Sequence, residues 1–319
     1  MGKVLFTSGW NQLVESLLKV NGIDSFDIII ETQRDKKERR QGVVFGVLKW
    51  FLKRVSILKP TLKEIAIQNG LKHFYFDGKN YSELLLFLSQ ENAQLGIVYS
   101  MPFLIKTELI NFFKGNLINI HPSLLPKYRG PEPWFWQYYF FERLGGVTFH
   151  YIDEGEDTGA ILFQLRYEIS VGMDSWHMQK LAIGELAHQG VMKIVRAFDR
   201  NETIEVKKQS KHQTFRARRI LDNEHAILID WINWQPDHVY HVLNGTWSWL
   251  NPIPMPKGVL FKAQRWKFLK YYDKKNIIDK DYQIVNSFFG IRKKLIFKNG
   301  VIVFRPRLKL TVLLSRFLK

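Results

Sequence analysis

Residues 117–122 read Leu-Ile-Asn-Ile-His-Pro, an apolar strand pattern with polar side chains at alternate positions. On an extended backbone Asn119 and His121 point to the same side. Pro122 lacks a ladder hydrogen and favours a turn. The strand therefore ends by delivering an amide and an imidazole together. In open α/β sheets the ends of the strands are where ligands bind.

A second segment repeats the arrangement. Residues 147–152 alternate and are β-prone, so they are expected to form a strand. The acidic, glycine-punctuated loop 153–159 follows (Asp-Glu-Gly-Glu-Asp-Thr-Gly). A carboxylate on that loop can face the imidazole of His121. An amide and an imidazolium suit a tetrahedral oxyanion, and a carboxylate suits the protons of an attacking amine. The trio therefore points to acyl transfer to an amine. Taken singly, a histidine after a strand is a structural hydrogen-bonder, and an acidic glycine loop is a solvated turn.

Together the run 119–126 (Asn-Ile-His-Pro-Ser-Leu-Leu-Pro) and the triplet Asp157-Thr158-Gly159 resemble the signature of the folate-dependent formyltransferase family, in its order and approximate spacing. That family includes methionyl-tRNA, glycinamide ribonucleotide and nucleotide amino-sugar formyltransferases. The resemblance implies a catalytic trio of Asn119, His121 and Asp157, and 10-formyltetrahydrofolate as co-substrate, without a metal. It places the folate beside Met101, Phe103, Leu104, Ile152, Asp153 and Glu154. It places the acceptor beside Ser123, Tyr128, Arg129, Gly130, Trp134, His150 and Thr158, with a proton-relaying water held near Thr158. At position 150 the family's sugar and purine members often carry His, whereas its tRNA members usually carry Met. Initiator tRNA is the first acceptor implied, and a nucleotide-linked amino sugar the alternative. A non-catalytic binder of RNA or membrane on the same scaffold is the reading from another class.

The rest of the chain sets the frame. Residues 3–7, 11–20 and 27–31 read as strand, helix and strand, a Rossmann-like opening without a Gly-x-Gly-x-x-Gly fingerprint. Further strands are expected over 72–76, 95–100 and 161–169. Helices are expected over 61–69, 82–91 with Ser82 as cap, 109–113 and 174–198. The aromatic run 131–140 reads as a helix beside the site, its rings mostly core and some lining the acceptor pocket. The amphipathic stretch 43–58 is a packed helix, a basic tRNA contact or an interfacial membrane helix.

Beyond residue 204 the pattern changes. Short strands are expected over 226–229, 259–263, 266–269, 294–297 and 301–304, with Asn299-Gly300 as a hairpin turn and one helix over 237–243. The tail 308–319 reads as a closing helix. The expected architecture is α/β: a Rossmann-like formyltransferase domain over 1–204 and a smaller β-rich, OB-like domain over 205–319. The run 201–211 is expected to link them.

Lys and Arg number 47 against 30 Asp and Glu, a formal charge of +17. That excess favours anionic partners, or reflects solubility and a lysine-rich composition. The absence of cysteine excludes disulfides and thiol chemistry. The first residues lack a signal-peptide core, and no uncharged run reaches the ~18 residues of a spanning helix. The sequence is read as cytoplasmic.

Overall fold

The computed structural model describes residues 1–33, 59–210, 214–255, 265–287 and 292–307. The expected elements over 43–58, 259–263 and 308–319 lie outside them. The chain divides into two compact units. The first comprises Met1–Gly130, Gly146–Tyr167 and Gln179–Phe215, and the second Pro131–Gly145, Glu168–Met178 and Arg216–Lys319.

In the first unit, β1 (Gly2–Thr7), β2 (Ile28–Thr32), β3 (Lys72–Phe76), β4 (Ala93–Tyr99) and β5 (Leu117–His121) pair in parallel. β6 (Leu144–Tyr151) pairs antiparallel with β5, and β7 (Ile161–Glu168) follows it. The sheet order is β3-β2-β1-β4-β5-β6-β7, so the chain changes direction across the sheet at β1 and β4. Ligands bind outside the carboxyl ends of strands at such a point. Val4, Leu5 and Phe6 and the three isoleucines of β2 are fully buried. That is why these strands read as unbroken apolar runs.

The helices start where their caps are. Asn11 Oδ1 accepts from the Leu13 and Val14 N–H groups at 3.0 and 3.2 Å and opens α1 (Gln12–Lys19); such a cap contributes about 1 kcal/mol. Thr61 and Glu64 form a reciprocal capping box before α2 (Leu62–Gln68). The next helices are α3 (Tyr81–Gln90), which begins after Asn80 rather than at the expected Ser82 cap, and α4 (Thr107–Phe112). The long helix expected over 174–198 is continuous but changes pitch. It runs as α6 (Ser175–Gln179), a π-helical stretch Lys180–Ala187, and α7 (His188–Asp199). The Ser16 hydroxyl donates to the Gly184 carbonyl in the widened turn and accepts from His188 Nδ1.

The register of β5 against β6 positions the site. Asn119 pairs with His150 and His121 with Thr148, so these four side chains share one face; Ile120 and Phe149 share the other. Phe149 is fully buried, stacks on Phe163 at 4.7 Å, and lies so close to Gly190 of α7 that a Cβ there would overlap its ring. The apolar side of this strand pair is therefore locked under a helix.

The segment 205–215, expected in the C-terminal domain or as a linker, belongs to the first unit. Two backbone hydrogen bonds of 2.8 Å join Lys207 to Ile161, and the Thr214 hydroxyl donates to the Pro126 carbonyl at 2.6 Å. Backbone pairing overrides the polar composition that made this run look like a linker.

In the second unit the aromatic helix α5 (Pro133–Tyr139) packs with α8 (Pro236–Gly245). Phe135, Trp136 and Tyr138 are buried, and Tyr138 lies against His241 with ring centroids 4.9 Å apart. Most of the run is thus core of this unit. β8 (Arg265–Asp273), β9 (Tyr282–Ser287), β10 (Arg292–Phe297) and β11 (Gly300–Arg307) form an antiparallel sheet in the order β8-β11-β10-β9. The Lys298-Asn299 turn joins β10 to β11, at the expected hairpin. Phe268, Leu295, Phe297, Ile302 and Phe304 bury one face. The register places Lys267 beside Arg305, and Lys270 beside Val303 beside Lys294, on the other. The expected strand 226–229 is a turn region; Asp230 Oδ1 accepts from the Ile232 and Asn233 N–H groups just after it. β9 was not expected. Among the described residues, no helix is long and apolar enough to cross a membrane.

Candidate active site

The end of β5, the loop 126–130 and the acid loop after β6 meet around one carboxylate. Asp157 Oδ1 accepts from Asn119 Nδ2 at 3.1 Å, and Oδ2 accepts from the Gly130 N–H at 2.9 Å. His121 Nδ1 stands 3.4 Å from Oδ2, and His150 Nε2 stands 3.5 Å from Oδ1. The acid is 15% exposed and both imidazoles are nearly inaccessible. Asp157 has φ +55° and Tyr128 φ +62°. Both sit in the left-handed region, which costs a non-glycine residue about 1 kcal/mol or more.

Hydrogen-bond chemistry fixes the protons. The Tyr128 carbonyl only accepts, so His121 Nε2, 2.8 Å away, carries a proton and donates to it. In the neutral ring Nδ1 is then a lone pair directed at the carboxylate. His150 Nδ1 donates to the Tyr151 carbonyl at 2.8 Å, which leaves Nε2 to accept from Asn119 Nδ2 at 3.1 Å. Both amide hydrogens of Asn119 are thereby engaged, one by Asp157 and one by His150. The register of β5 and β6 makes this possible, because it sets Asn119 opposite His150.

Burial pushes the His121 imidazole below its ordinary range, and the charge of Asp157 pulls the other way without overcoming it. Burial raises the Asp157 carboxyl. The imidazoles of His121 and His150, which carry positive charge when protonated, and the Gly130 N–H together outweigh that, and the net shift is well downward. At neutral pH the site holds a carboxylate beside a neutral imidazole. A proton arriving there has a seat between Nδ1 and Oδ2.

Residues 60–195 match the family model described as formyl transferase. The methionyl-tRNA formyltransferase of Thermodesulfovibrio yellowstonii is 31% identical over 196 residues, 61% of this chain and 61% of that relative. The methionyl-tRNA formyltransferase of Clostridium tetani is 27% identical over 261 residues, 79% of this chain and 78% of that relative. Over residues 60–195 the chain is thus similar to the formyl transferase family. An N-formyltransferase of Helicobacter canadensis, solved in complex with folinic acid and dTDP-3-aminofucose, shares the fold with a TM-score of 0.62. It is 17% identical, and the alignment covers 96% of this chain and all of that one.

The other expected site residues fall into distinct surroundings. Met101, Phe103 and Ile152 are partly buried against the core cluster of β1, β2, β4 and α3. Phe103 meets the Phe76 ring edge to face at 5.1 Å. Leu104 stands apart from that cluster, 74% exposed. Glu154 accepts from the Thr107 hydroxyl at 3.4 Å. Asp153 accepts from the Gly155 N–H and, at 2.6 Å, from the Thr158 hydroxyl. That hydroxyl proton, expected to hold a relaying water, is spent bracing its own loop.

On the expected acceptor side, Ser123 is fully buried and donates to the Lys127 carbonyl at 2.7 Å. Its role here is to shape the 123–127 turn. Tyr128 offers its carbonyl to His121, and its ring meets Phe215. Gly130 offers its N–H to Asp157. Trp134 lies on α5 in the second unit. Arg129 donates from Nε and Nη2 to Gln209 Oε1 at 3.1 and 2.7 Å, and Gln209 Nε2 donates to the carbonyls of Asp157 and Gly159 at 2.9 and 2.7 Å. Gln209 has no signal in the sequence. It sits in a polar run, and its partners are about 50 and 80 positions away in the chain.

Proposed function

We propose that this chain transfers a formyl group from 10-formyltetrahydrofolate to a primary amine. The observation that carries the reading is one carboxylate, that of Asp157, held at the strand ends by an amide and a backbone N–H and faced by two imidazoles. The neutral amine attacks the formyl carbon and forms a tetrahedral adduct. Its ammonium proton passes to the seat between His121 Nδ1 and Asp157. Once Asp157 gains a proton it holds Asn119 less tightly, and the Asn119 amide hydrogen turns to the oxyanion. Collapse breaks the bond to folate N10, and the stored proton goes to N10. Overall the formyl group moves to the amine and one proton moves to the folate. Met101, Phe103 and Ile152, apolar and partly buried against the core, are the side chains proposed to meet the pterin.

For the acceptor we favour initiator methionyl-tRNA. Both relatives named above carry that activity, and the outward sheet face of the second unit supports it. Lys267, Lys270, Lys294 and Arg305 are exposed there, spaced at strand intervals beside Tyr272. Lys270 lies 5.0 Å over the Tyr272 ring. Regular cations with an exposed ring fit a phosphate backbone and a stacked base. One observation favours an amino-sugar nucleotide instead: His150 occupies the position where the tRNA members of the family usually carry Met. The stretch 43–58, read as a packed helix, a tRNA contact or a membrane contact, lies outside the described residues and adds nothing to either reading.

A formyl-transfer assay with 10-formyltetrahydrofolate against charged initiator tRNA and a panel of nucleotide amino sugars separates them. With tRNA, kcat/KM falls roughly tenfold or more between 50 and 200 mM salt through counterion release. Transfer only to the sugars, with little salt dependence, would replace the tRNA reading. Transfer to neither would remove the enzymatic one.

A further inference from the structure

We propose that Gln209 is a positioning residue that fixes the Asp157 carboxylate, by tying the acid loop to the Tyr128-Arg129-Gly130 loop through one side-chain amide. The amide is fully used. Its two hydrogens go to the Asp157 and Gly159 carbonyls, and its oxygen takes two bonds from the Arg129 guanidinium. This valence pattern admits only one orientation of the side chain, because the nitrogen must face carbonyls and the oxygen must face the cation. A hydrophobic residue, a carboxylate or a shorter amide satisfies at most half of it.

What Gln209 holds is the part of the site most in need of holding. Asp157 stands at φ +55° and Tyr128 at φ +62°, conformations that persist only when their surroundings over-determine them. Asp157 takes its carbonyl bond from Gln209 and its Oδ2 bond from Gly130, next to Arg129. Tyr128, on the other side of Arg129, carries the carbonyl that orients His121. One side chain thus spans both loops that set the His121–Asp157 distance. The segment bearing Gln209 is fixed independently, through Lys207 on Ile161 and Thr214 on Pro126. Removing the amide therefore loosens the loops without releasing the segment.

The proposal concerns the geometry of the acid and rests on the formyl-transfer reading only for its kinetic arm. The first test needs no acceptor. In the full-length chain, histidine-13C NMR follows the titration of His121 in wild type, Gln209→Leu and Asp157→Asn. Loss of the Asp157 contact removes the largest of the charges that pull the His121 pKa upward against burial. Gln209→Leu should therefore lower the His121 midpoint toward the Asp157→Asn value and speed amide exchange over residues 157–160 about tenfold. An unchanged His121 titration with wild-type exchange in that loop overturns the proposal.

The kinetic arm uses whichever acceptor the wild type formylates. Gln209→Leu should lower kcat roughly 10- to 100-fold with KM for 10-formyltetrahydrofolate within about twofold, the pattern of a misplaced group rather than a lost contact. A raised KM with kcat intact overturns the positioning role. Gln209→Glu keeps the Arg129 contact, and it carries the test if the Leu variant fails to fold. Its introduced carboxyl faces two carbonyls and regains a donor only when protonated. The variant-to-wild-type activity ratio should therefore climb as pH falls from 7 to 5, and a flat ratio overturns the proposal. Wild-type inactivity on every acceptor defeats the enzymatic reading alone, because the NMR arm still reports on Gln209.

Discussion

His121 and His241 are both withdrawn from solvent, at 4% and 0% exposure, yet their surroundings differ in kind. His121 lies in the first unit with a carboxylate at 3.4 Å, a carbonyl for Nε2 and a second imidazole behind the amide next to it. His241 lies in the second unit between the rings of Tyr138 and Phe141, at 4.9 and 5.1 Å. Its Nδ1 accepts from the Gly172 N–H at 3.0 Å, and its Nε2 has no hydrogen-bond partner among the described residues. The charged groups that act on it, Arg143 and His238, are cations. Burial alone therefore does not mark a working histidine. The proposed function needs burial with a counter-charge and a route for the proton, and among the described residues the first surroundings supply both.

The largest effect that follows is on catalysis. Asn119→Ala removes the amide that Asp157 and His150 hold and that the proposed mechanism turns to the oxyanion. Transfer should fall by about 10²–10³-fold, or roughly 3–4 kcal/mol of barrier, and Asp157→Asn should cost at least as much. His241→Phe should leave kcat within about twofold, since nothing in its surroundings can move a proton. Steady-state kinetics on the three variants test the contrast. A His241→Phe loss comparable to that of Asn119→Ala would break it.

The two sites were also unequally legible in sequence. Asn119 and His121 alternate on a strand that ends in proline, so local pattern pointed to both; among the four acids of the glycine-bounded loop it was the family resemblance that singled out Asp157. His150 was visible only as a family position. Its contact with Asn119 comes from strand register, which periodicity does not set across a gap of 31 residues. Gln209 was unreadable, because a polar run that pairs by backbone looks like a polar run that does not. In the second unit the apolar stretch 226–229 promised a strand, but an Asp230 side chain that collects two N–H groups favours a turn. β9 carries polar residues on both faces and its ends are short of apolar content, so it escaped notice. The aromatic run was legible as a helix, and its burial in the second unit was set by α8, far along the chain.

The next effect is on stability, and its sign separates the two surroundings. Burial first, and then the charges of Arg143 and His238, push His241 down to about 3 from its ordinary 6.5. The folded second unit requires the neutral ring. Its contribution is complete above pH 6.5 and is lost progressively as pH falls toward 3, because the unfolded chain takes up the proton first. At pH 5 the loss is roughly 2 kcal/mol. Asp157, lowered in the fold, contributes above its ordinary range and loses its contribution only at pH below about 3.8. Urea melts between pH 7 and 5 should therefore show a falling midpoint that His241→Phe makes shallower, the remaining fall coming from other imidazoles lowered by burial such as His121, and that Asp157→Asn does not remove. The opposite assignment would mean that the carboxylate, not the orphaned imidazole, is the acid-sensitive group.

The smallest effect asks why His241 is depressed. Burial is the leading cause, and the cations come after it. His238 is itself lowered by burial, while a hydrogen bond from its Nε2 to the Tyr139 carbonyl at 2.8 Å and the charge of Asp237 pull it upward. Its ring stacks on Trp234 at 3.9 Å. A protonated His238 repels charge on His241, so replacing it removes that repulsion. His238→Gln, whose amide can still donate to Tyr139, should raise the His241 midpoint by well under a unit, about 0.5 or less, and improve acid stability slightly. Arg143→Met should act in the same direction, but it also removes the hydrogen bond to the Ile169 carbonyl at 2.8 Å, so its melting point falls at every pH. Histidine-13C titration of both variants reads the two shifts directly. A rise of more than a unit for His238→Gln would make His241 an electrostatic sensor rather than a desolvated core residue, and the contrast with His121 would then be one of charge sign rather than of missing partners.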